Sequence, residues 1–188
     1  LSKYIENSEK LSENRSKMNK ACRLFVEGLR EMQQDKVFYP DANSTMRMTY
    51  GKVIDYYPAD AVHYDYYTTL TGLMAKEDPS DEEFIVPDKL KDLYNKKDYG
   101  VYQKDGDVPV CFITDNDITG GNSGSPVLNG EGHLIGIAFD GNWEAMSGNI
   151  AFEPELQRTI SVDIRYVLFI IDKFANAHNL MKELTIIK

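Results

Sequence analysis

Residues 119–139 constrain the fold more tightly than any other stretch. Val127-Leu128 and His133-Leu134-Ile135-Gly136-Ile137-Ala138-Phe139 are apolar runs separated by Asn129-Gly130-Glu131-Gly132. Two such runs joined by a short turn containing Asn-Gly read as a β-hairpin. Directly in front of it stands Thr119-Gly120-Gly121-Asn122-Ser123-Gly124-Ser125-Pro126. A Gly/Ser/Asn run between apolar segments reads as a plain turn, but it also suits a nucleophile. A reactive serine needs little bulk around its hydroxyl and backbone N–H groups aimed at a developing oxyanion. Gly121 and Gly124 relax the steric limits on either side of Ser123. Ser123 is therefore the candidate nucleophile, and the amides of Gly121 and Ser123 are the candidate oxyanion donors. Ser125 comes second, because it precedes Pro126 and enters the strand. The loop lacks the Gly-Lys-Ser/Thr of a phosphate loop and the second glycine of a G-x-S-x-G elbow.

The rest of the chain fits mainly β structure with flanking helices. Residues 1–36 predict a helix, with Met18, Ala21, Cys22, Phe25, Leu29 and Met32 at spacings of three and four. Pro40 ends it. Residues 45–50 and 52–57 alternate as strands on either side of Gly51, and an aromatic-rich stretch holds Tyr64, Tyr66 and Tyr67. Residues 76–100 read as an insertion with a short helix opened by Pro87. Val108–Thr114 and Thr159–Ile164 are further strands. Residues 165–184 form a terminal helix with Val167, Ile170, Ile171, Phe174, Ala177, Met181 and Leu184 on one face. Short strands with turn signals, closed by a helix, fit a small antiparallel barrel.

Charge and composition narrow the function classes. The 188 residues carry a formal charge of −9 and no basic cluster interleaved with aromatics, which argues against nucleic-acid binding. No run of 18 apolar residues is present to span a membrane, and no secretory signal opens the chain. The acidic run 77–83 reads as a solvated loop. Cys22 and Cys111 have no metal-ligand spacing and read as two buried thiols, on a helix stripe and in a strand. A serine nucleophile needs a base and a carboxylate that orients it. Of the three histidines, His133 lies on a strand leading away from Ser123 and His178 on a helix flank; His63 is the least excluded.

Gly121-Asn122-Ser123-Gly124-Ser125-Pro126 resembles the nucleophile loop of trypsin-like serine peptidases, in the variant seen in glutamyl endopeptidases and S46 dipeptidyl peptidases. Two longer stretches, Pro40–Gly51 and Ala138–Gly148, resemble the S46 family, and the similarity runs from about Phe38 onward. The resemblance implies the second β-barrel of a trypsin-like double barrel over residues 37–188, preceded by the end of an α-helical domain. It implies a far longer parent, of which this chain is a carboxy-terminal fragment. That parent is expected to be secreted to the bacterial periplasm or cell surface, with a homodimer left open.

The same resemblance assigns roles by position. The base and its aspartate are expected on sequence outside this chain, so the chain alone is expected to be inactive. Phe139 and Asp140 match residues at the amino-terminal end of the bound peptide, where the acid holds the substrate ammonium. Gly141 matches the position that shapes the P1 pocket; an arginine there goes with acidic P1 residues, whereas glycine implies hydrophobic or bulky ones. Trp143 is expected to pack behind the pocket wall, and Glu144 and Ser147 carry no assigned role. The expected activity is release of dipeptides from oligopeptide amino termini, without cofactor or metal. A glutamyl endopeptidase and a non-catalytic peptide-binding module remain the alternatives.

Overall fold

A computed structural model describes residues 2–35, 44–148 and 152–187, with side chains from residue 11 onward. The chain divides into two compact units, Leu1–Pro40 and Asp41–Lys188.

The first unit is helix α1, Ser2–Met32. Lys17 pairs with Glu13 one turn earlier at 2.7 Å, and Arg30 sits in the last turn, where a cation opposes the helix dipole. Its apolar stripe is in the predicted register, but Met18, Phe25 and Met32 are exposed. Cys22 is exposed as well, which corrects the expectation of a buried thiol. A single helix has no neighbour within its own unit to cover a stripe.

The second unit is built on five antiparallel strands in the order β3-β4-β7-β6-β5. These are β3 (Tyr67–Thr69), β4 (Pro109–Thr114), β5 (Pro126–Leu128), β6 (Leu134–Gly141) and β7 (Thr159–Asp163). A two-stranded ribbon, β1 (Tyr56–Ala59) and β2 (Val62–Tyr64), precedes them. β7 lies between β4 and β6, with Val162 facing both Cys111 and Ile137. Antiparallel β structure flanked by helices is the class expected from the sequence.

The predicted hairpin forms as β5–β6, with Pro126 opposite Ile137 and Leu128 opposite Leu134. Its turn works differently from an Asn-Gly corner. The Asn129 carboxamide oxygen accepts from the amides of Glu131 and His133, and Gly132 takes the left-handed φ of +82°.

Residues 45–50 were expected as a strand and are irregular, with Met46, Met48 and Tyr50 exposed. A strand needs a partner edge. Among the described residues, strand pairing here is confined to the Val53–Thr114 bridge, where the Asp115 amide donates to Lys52 O at 3.1 Å while the Asp115 carboxylate accepts from the Lys52 amide at 2.6 Å. The terminal helix is also interrupted. Helix α4 (Ile164–Phe169) passes into a π-helical turn, Ile170–Phe174. Asn176 then takes a φ of +53°, which asparagine tolerates better than most residues, before a short helix at His178–Met181.

The core lies beside the sheet. Leu70, Val86, Leu90, Tyr99, Tyr102, Val108 and Phe169 form one buried cluster. Leu70 opens helix α2 (Leu70–Met74), and Leu90 lies on helix α3 (Asp88–Lys96). Pro87 stands at the N-cap of α3. The segment read as an insertion near 76–100 thus supplies three members of this cluster, Val86, Leu90 and Tyr99.

Candidate active site

Ser123 is placed by the hairpin. The β5–β6 ladder continues past Pro126: the Gly124 amide donates to Ala138 O at 2.8 Å, and the Ala138 amide donates to Ser125 O at 3.0 Å. Ser123 therefore falls opposite Phe139. Its Oγ, at the exposed surface, donates a long 3.4 Å hydrogen bond to Phe139 O. Gly121 and Gly124 adopt φ of +97° and +82°, conformations that a side chain would strain. The amides of Asn122, Gly124 and Ser125 are engaged within the fold. The amides of Gly121 and Ser123 have no acceptor among the described residues. Thr119 and Asn122 close the front of the loop, through Asn122 N–H to Thr119 O and Thr119 N–H to Asn122 Oδ1.

Phe139 sits at a β-bulge. Ala138 pairs with Ser161 and Asp140 with Ile160, so Phe139 is the extra residue on β6. A bulge breaks the in–out alternation and re-aims the side chains around it. Phe139 and Asp140 are consequently both exposed, whereas Gly136 and Ala138 before them are buried. The bulge also brings the Phe139 carbonyl to the serine. Asp140 Oδ1 accepts from the Gly141 amide at 2.8 Å, and its other oxygen has no partner among the described residues. Gly141 pairs with Thr159, and a Cβ on it would meet Ala145 Cβ at 2.9 Å.

The three histidines pair elsewhere. His63 meets Asp55 at 2.5 Å and stacks on Tyr57. His133 meets Glu131 at 3.3 Å, and His178 meets Asp172 at 3.1 Å. None is hydrogen-bonded to Ser123. A separate cleft of about 700 Å³, bounded by Tyr66, Phe112, Leu134, Asp163, Arg165 and Leu184, is lined by His133 but by none of Gly121, Ser123, Phe139, Asp140 and Gly141.

Residues 142–148 differ from expectation. Trp143 is 81% exposed, not packed behind a wall. The single 3-10 turn Trp143–Ser147 presents one inward side, and that side is taken by Glu144 and Ala145. Glu144 Oε2 accepts from Tyr56 OH at 3.1 Å and from Asn142 Nδ2 at 2.9 Å. Burial pushes the Tyr56 phenol above its ordinary value, and the Glu144 carboxylate pushes the same way against the Asn142 amide. Ser147 Oγ accepts from Gln157. Nearer the serine loop, burial raises the Asp117 carboxyl against the hydrogen bond from the Ile118 amide. Neither Asn142 nor Asp117 was singled out from the sequence, since a polar residue in a turn carries no periodic signal.

Among the described residues there is no group of three or more His, Cys, Asp and Glu side chains that could hold a metal ion, and no helix is long and apolar enough to cross a membrane.

Comparison with known proteins extends this geometry. The Peptidase S46 family model matches residues 2–186. A dipeptidyl-peptidase 7 of Phocaeicola vulgatus is 58% identical over 179 residues, which cover 95% of this chain and 25% of that protein. An Asp/Glu-specific dipeptidyl-peptidase of Flavobacterium psychrophilum is 48% identical over 91% of this chain and 24% of its own length. The crystal structure of Porphyromonas endodontalis DPP11 in complex with the dipeptide Arg-Glu superposes with a TM-score of 0.78 at 49% identity. That match covers 85% of this chain and 23% of that one. The chain spans about a quarter of the length of the curated relatives it matches.

Proposed function

This chain belongs to the peptidase S46 family, and from that premise we propose that it carries the nucleophile and the amine anchor of a serine dipeptidyl aminopeptidase as long as its relatives. Ser123 Oγ attacks the carbonyl carbon of the second substrate residue. The Gly121 and Ser123 amides hold the resulting oxyanion. The serine proton passes to a base on sequence outside residues 1–188 and from there to the leaving amine, and water then hydrolyses the ester on Ser123, which frees the dipeptide and restores the hydroxyl. Asp140 holds the substrate ammonium; a carboxylate rewards a charged amine, and the bulge at Phe139 limits how far the peptide extends. The observation that carries this reading is the juxtaposition at the bulge. A glycine-flanked serine with two unengaged amides lies against the strand residue that precedes an exposed carboxylate.

Gly141 brings neither charge nor bulk, which favours hydrophobic P1 side chains. The greater identity to the Phocaeicola vulgatus dipeptidyl-peptidase 7 than to the Flavobacterium psychrophilum Asp/Glu-specific relative is in keeping with a P1 preference other than acidic. The same reading extends to a full-length protein in the bacterial periplasm or at the cell surface, which fractionation of expressing cells checks.

The test uses the full-length protein carrying this chain, with a dipeptide reporter bearing a hydrophobic P1 residue and either a free or a blocked amino terminus. The free-amine reporter is cleaved and the blocked one is not, while Ser123→Ala lowers kcat by roughly a million-fold. Residues 1–188 alone show no turnover. Cleavage of both reporters points to an endopeptidase; cleavage of neither, together with no fluorophosphonate labelling of Ser123, points to a peptide-binding module.

A further inference from the structure

The amine anchor and the P1 position, Asp140 and Gly141, are adjacent residues at the end of the bulged strand β6. Gly141 has no side chain with which to pack, and Asp140 is exposed. Backbone pairing with Ile160 and Thr159 on β7 sets their register, and the residue after them fixes where that last stretch of the strand ends. That residue, Asn142, makes five hydrogen bonds, one of them from the Ala145 amide to its own carbonyl at 2.9 Å. Its amide donates to Arg158 O at 2.9 Å, and its Oδ1 accepts from the Arg158 amide at 2.8 Å. Its Nδ2 donates to Leu156 O at 2.8 Å and to Glu144 Oε2 at 2.9 Å. The carboxamide's acceptor and its donor nitrogen are both committed, and in one orientation only: a flipped amide would set oxygen against a carbonyl and a carboxylate.

Arg158 anchors the far side. It is 5% exposed, and its guanidinium donates to the carbonyls of Asp55, Pro154, Glu155 and Gln157 while lying over the Tyr56 ring. Glu144 closes the circuit by accepting from Tyr56 OH. Asn142 thus ties the end of β6 at once to the 154–158 segment, to the 143–147 turn and, through Glu144, to β1.

We infer that Asn142 is a positioning residue that, with Glu144 and Tyr56, holds Asp140 and Gly141 in register for the substrate's amino-terminal dipeptide. The inference rests on the proposed function and extends it by naming what orients the anchor. Aspartate cannot replace Asn142, because it donates nothing to Leu156 O and sets a second carboxylate against Glu144. Asn142→Asp combined with Glu144→Gln restores one amide and one carboxylate to that contact, with donor and acceptor exchanged.

The experiment measures kcat and KM of the full-length protein on the free-amine hydrophobic dipeptide reporter, beside the rate at which a fluorophosphonate without an amino group labels Ser123. N142D lowers kcat/KM by roughly ten- to a hundredfold, mostly through KM, since misplacement by about 1 Å costs on that order. Labelling stays within about twofold, because the serine loop hangs on Ala138 rather than on Asn142. N142D/E144Q recovers a substantial part of the loss. Unchanged cleavage in N142D, equal losses of cleavage and labelling, or a double variant no better than the single one each overturn the assignment. Tyr56→Phe, which removes only the outermost bond, tests it where N142D folds poorly: a loss of about threefold in kcat/KM with labelling intact supports the network, and no loss overturns it. An unmodified protein that cleaves the amine-blocked reporter as well as the free one refutes the anchor itself. That result is read before any variant is made.

Discussion

Gly136 shows how closely single residues are fitted where the serine hairpin crosses the sheet. It faces Asp163 on β7 and Val127 on β5, and it is buried. A Cβ built there would meet Phe112 Cε1 at 2.6 Å and Val162 O at 2.6 Å. One neighbour is a buried ring on β4 and the other is ladder backbone, so neither yields easily. Gly136→Ala is therefore expected to destabilise the 188-residue chain by about 1–3 kcal/mol, as overpacking does. A thermal melt reads this directly, and an unchanged midpoint would mean that Phe112 repacks freely. Gly141 is tight in a different way. Its tightest neighbour among the described residues is the single methyl carbon Ala145 Cβ, with Arg158 O at an ordinary 3.7 Å. Both glycines look alike in the sequence, since neither the distance to a facing strand nor the rigidity of the neighbour is encoded locally.

Among the elements, those with a regular period were legible and those set by long-range pairing were not. β4, β6, β7 and the hairpin follow from apolar runs and turn residues, and α1 follows from its stripe. Residues 45–50 alternate as a strand should, yet alternation supplies no partner edge. The break at Asn176 and the bulge at Phe139 are likewise decided by neighbours distant in sequence. In the site, Ser123 and Asp140 could be nominated from their stretches. The Asn142–Arg158 pairing spans 16 positions and leaves no pattern to read. Asp107 gives the junction of β3, α2 and β4 a comparable long-range tie. Burial pushes its carboxyl upward, but hydrogen bonds from the Thr71 and Thr69 side chains and from the Val108 and Thr71 amides outweigh this and hold it below its ordinary 3.8. A depressed native pKa means that the unfolded chain binds the proton more readily. The stabilisation is thus complete above the unfolded value near 3.8 and is lost as pH falls through the native one. The urea midpoint is expected to drop in that acid window, and Asp107→Asn should flatten that part of the profile. An identical acid limb in the variant would assign the drop to other carboxylates.

For the Asp41–Lys188 unit as a whole, stability and chemistry occupy different layers. The buried cluster joins α2, α3, residues 99–108 and α4, and it centres on Phe169. That ring is fully buried, meets Tyr99 and Tyr102 edge-on with centroids 6.4 Å away, and stacks on Tyr166. None of the candidate site residues belongs to the cluster; Ser123, Phe139 and Asp140 lie exposed on the β5–β6 side of the sheet. Removing the Phe169 ring leaves a cavity among aromatic neighbours that cannot all collapse into it. Phe169→Ala is expected to cost about 3–5 kcal/mol. Phe139→Ala removes a ring of the same size that is 42% exposed, and it should cost about 0.5 kcal/mol or less. In urea, the first substitution shifts the midpoint strongly with an unchanged slope, since the slope tracks the surface exposed on unfolding. The second barely moves it. Equal shifts would place the stabilising core in the sheet itself. A Phe169→Ala variant with a shallower slope would mean that the helical layer unfolds separately, leaving the serine hairpin to stand on the five strands alone.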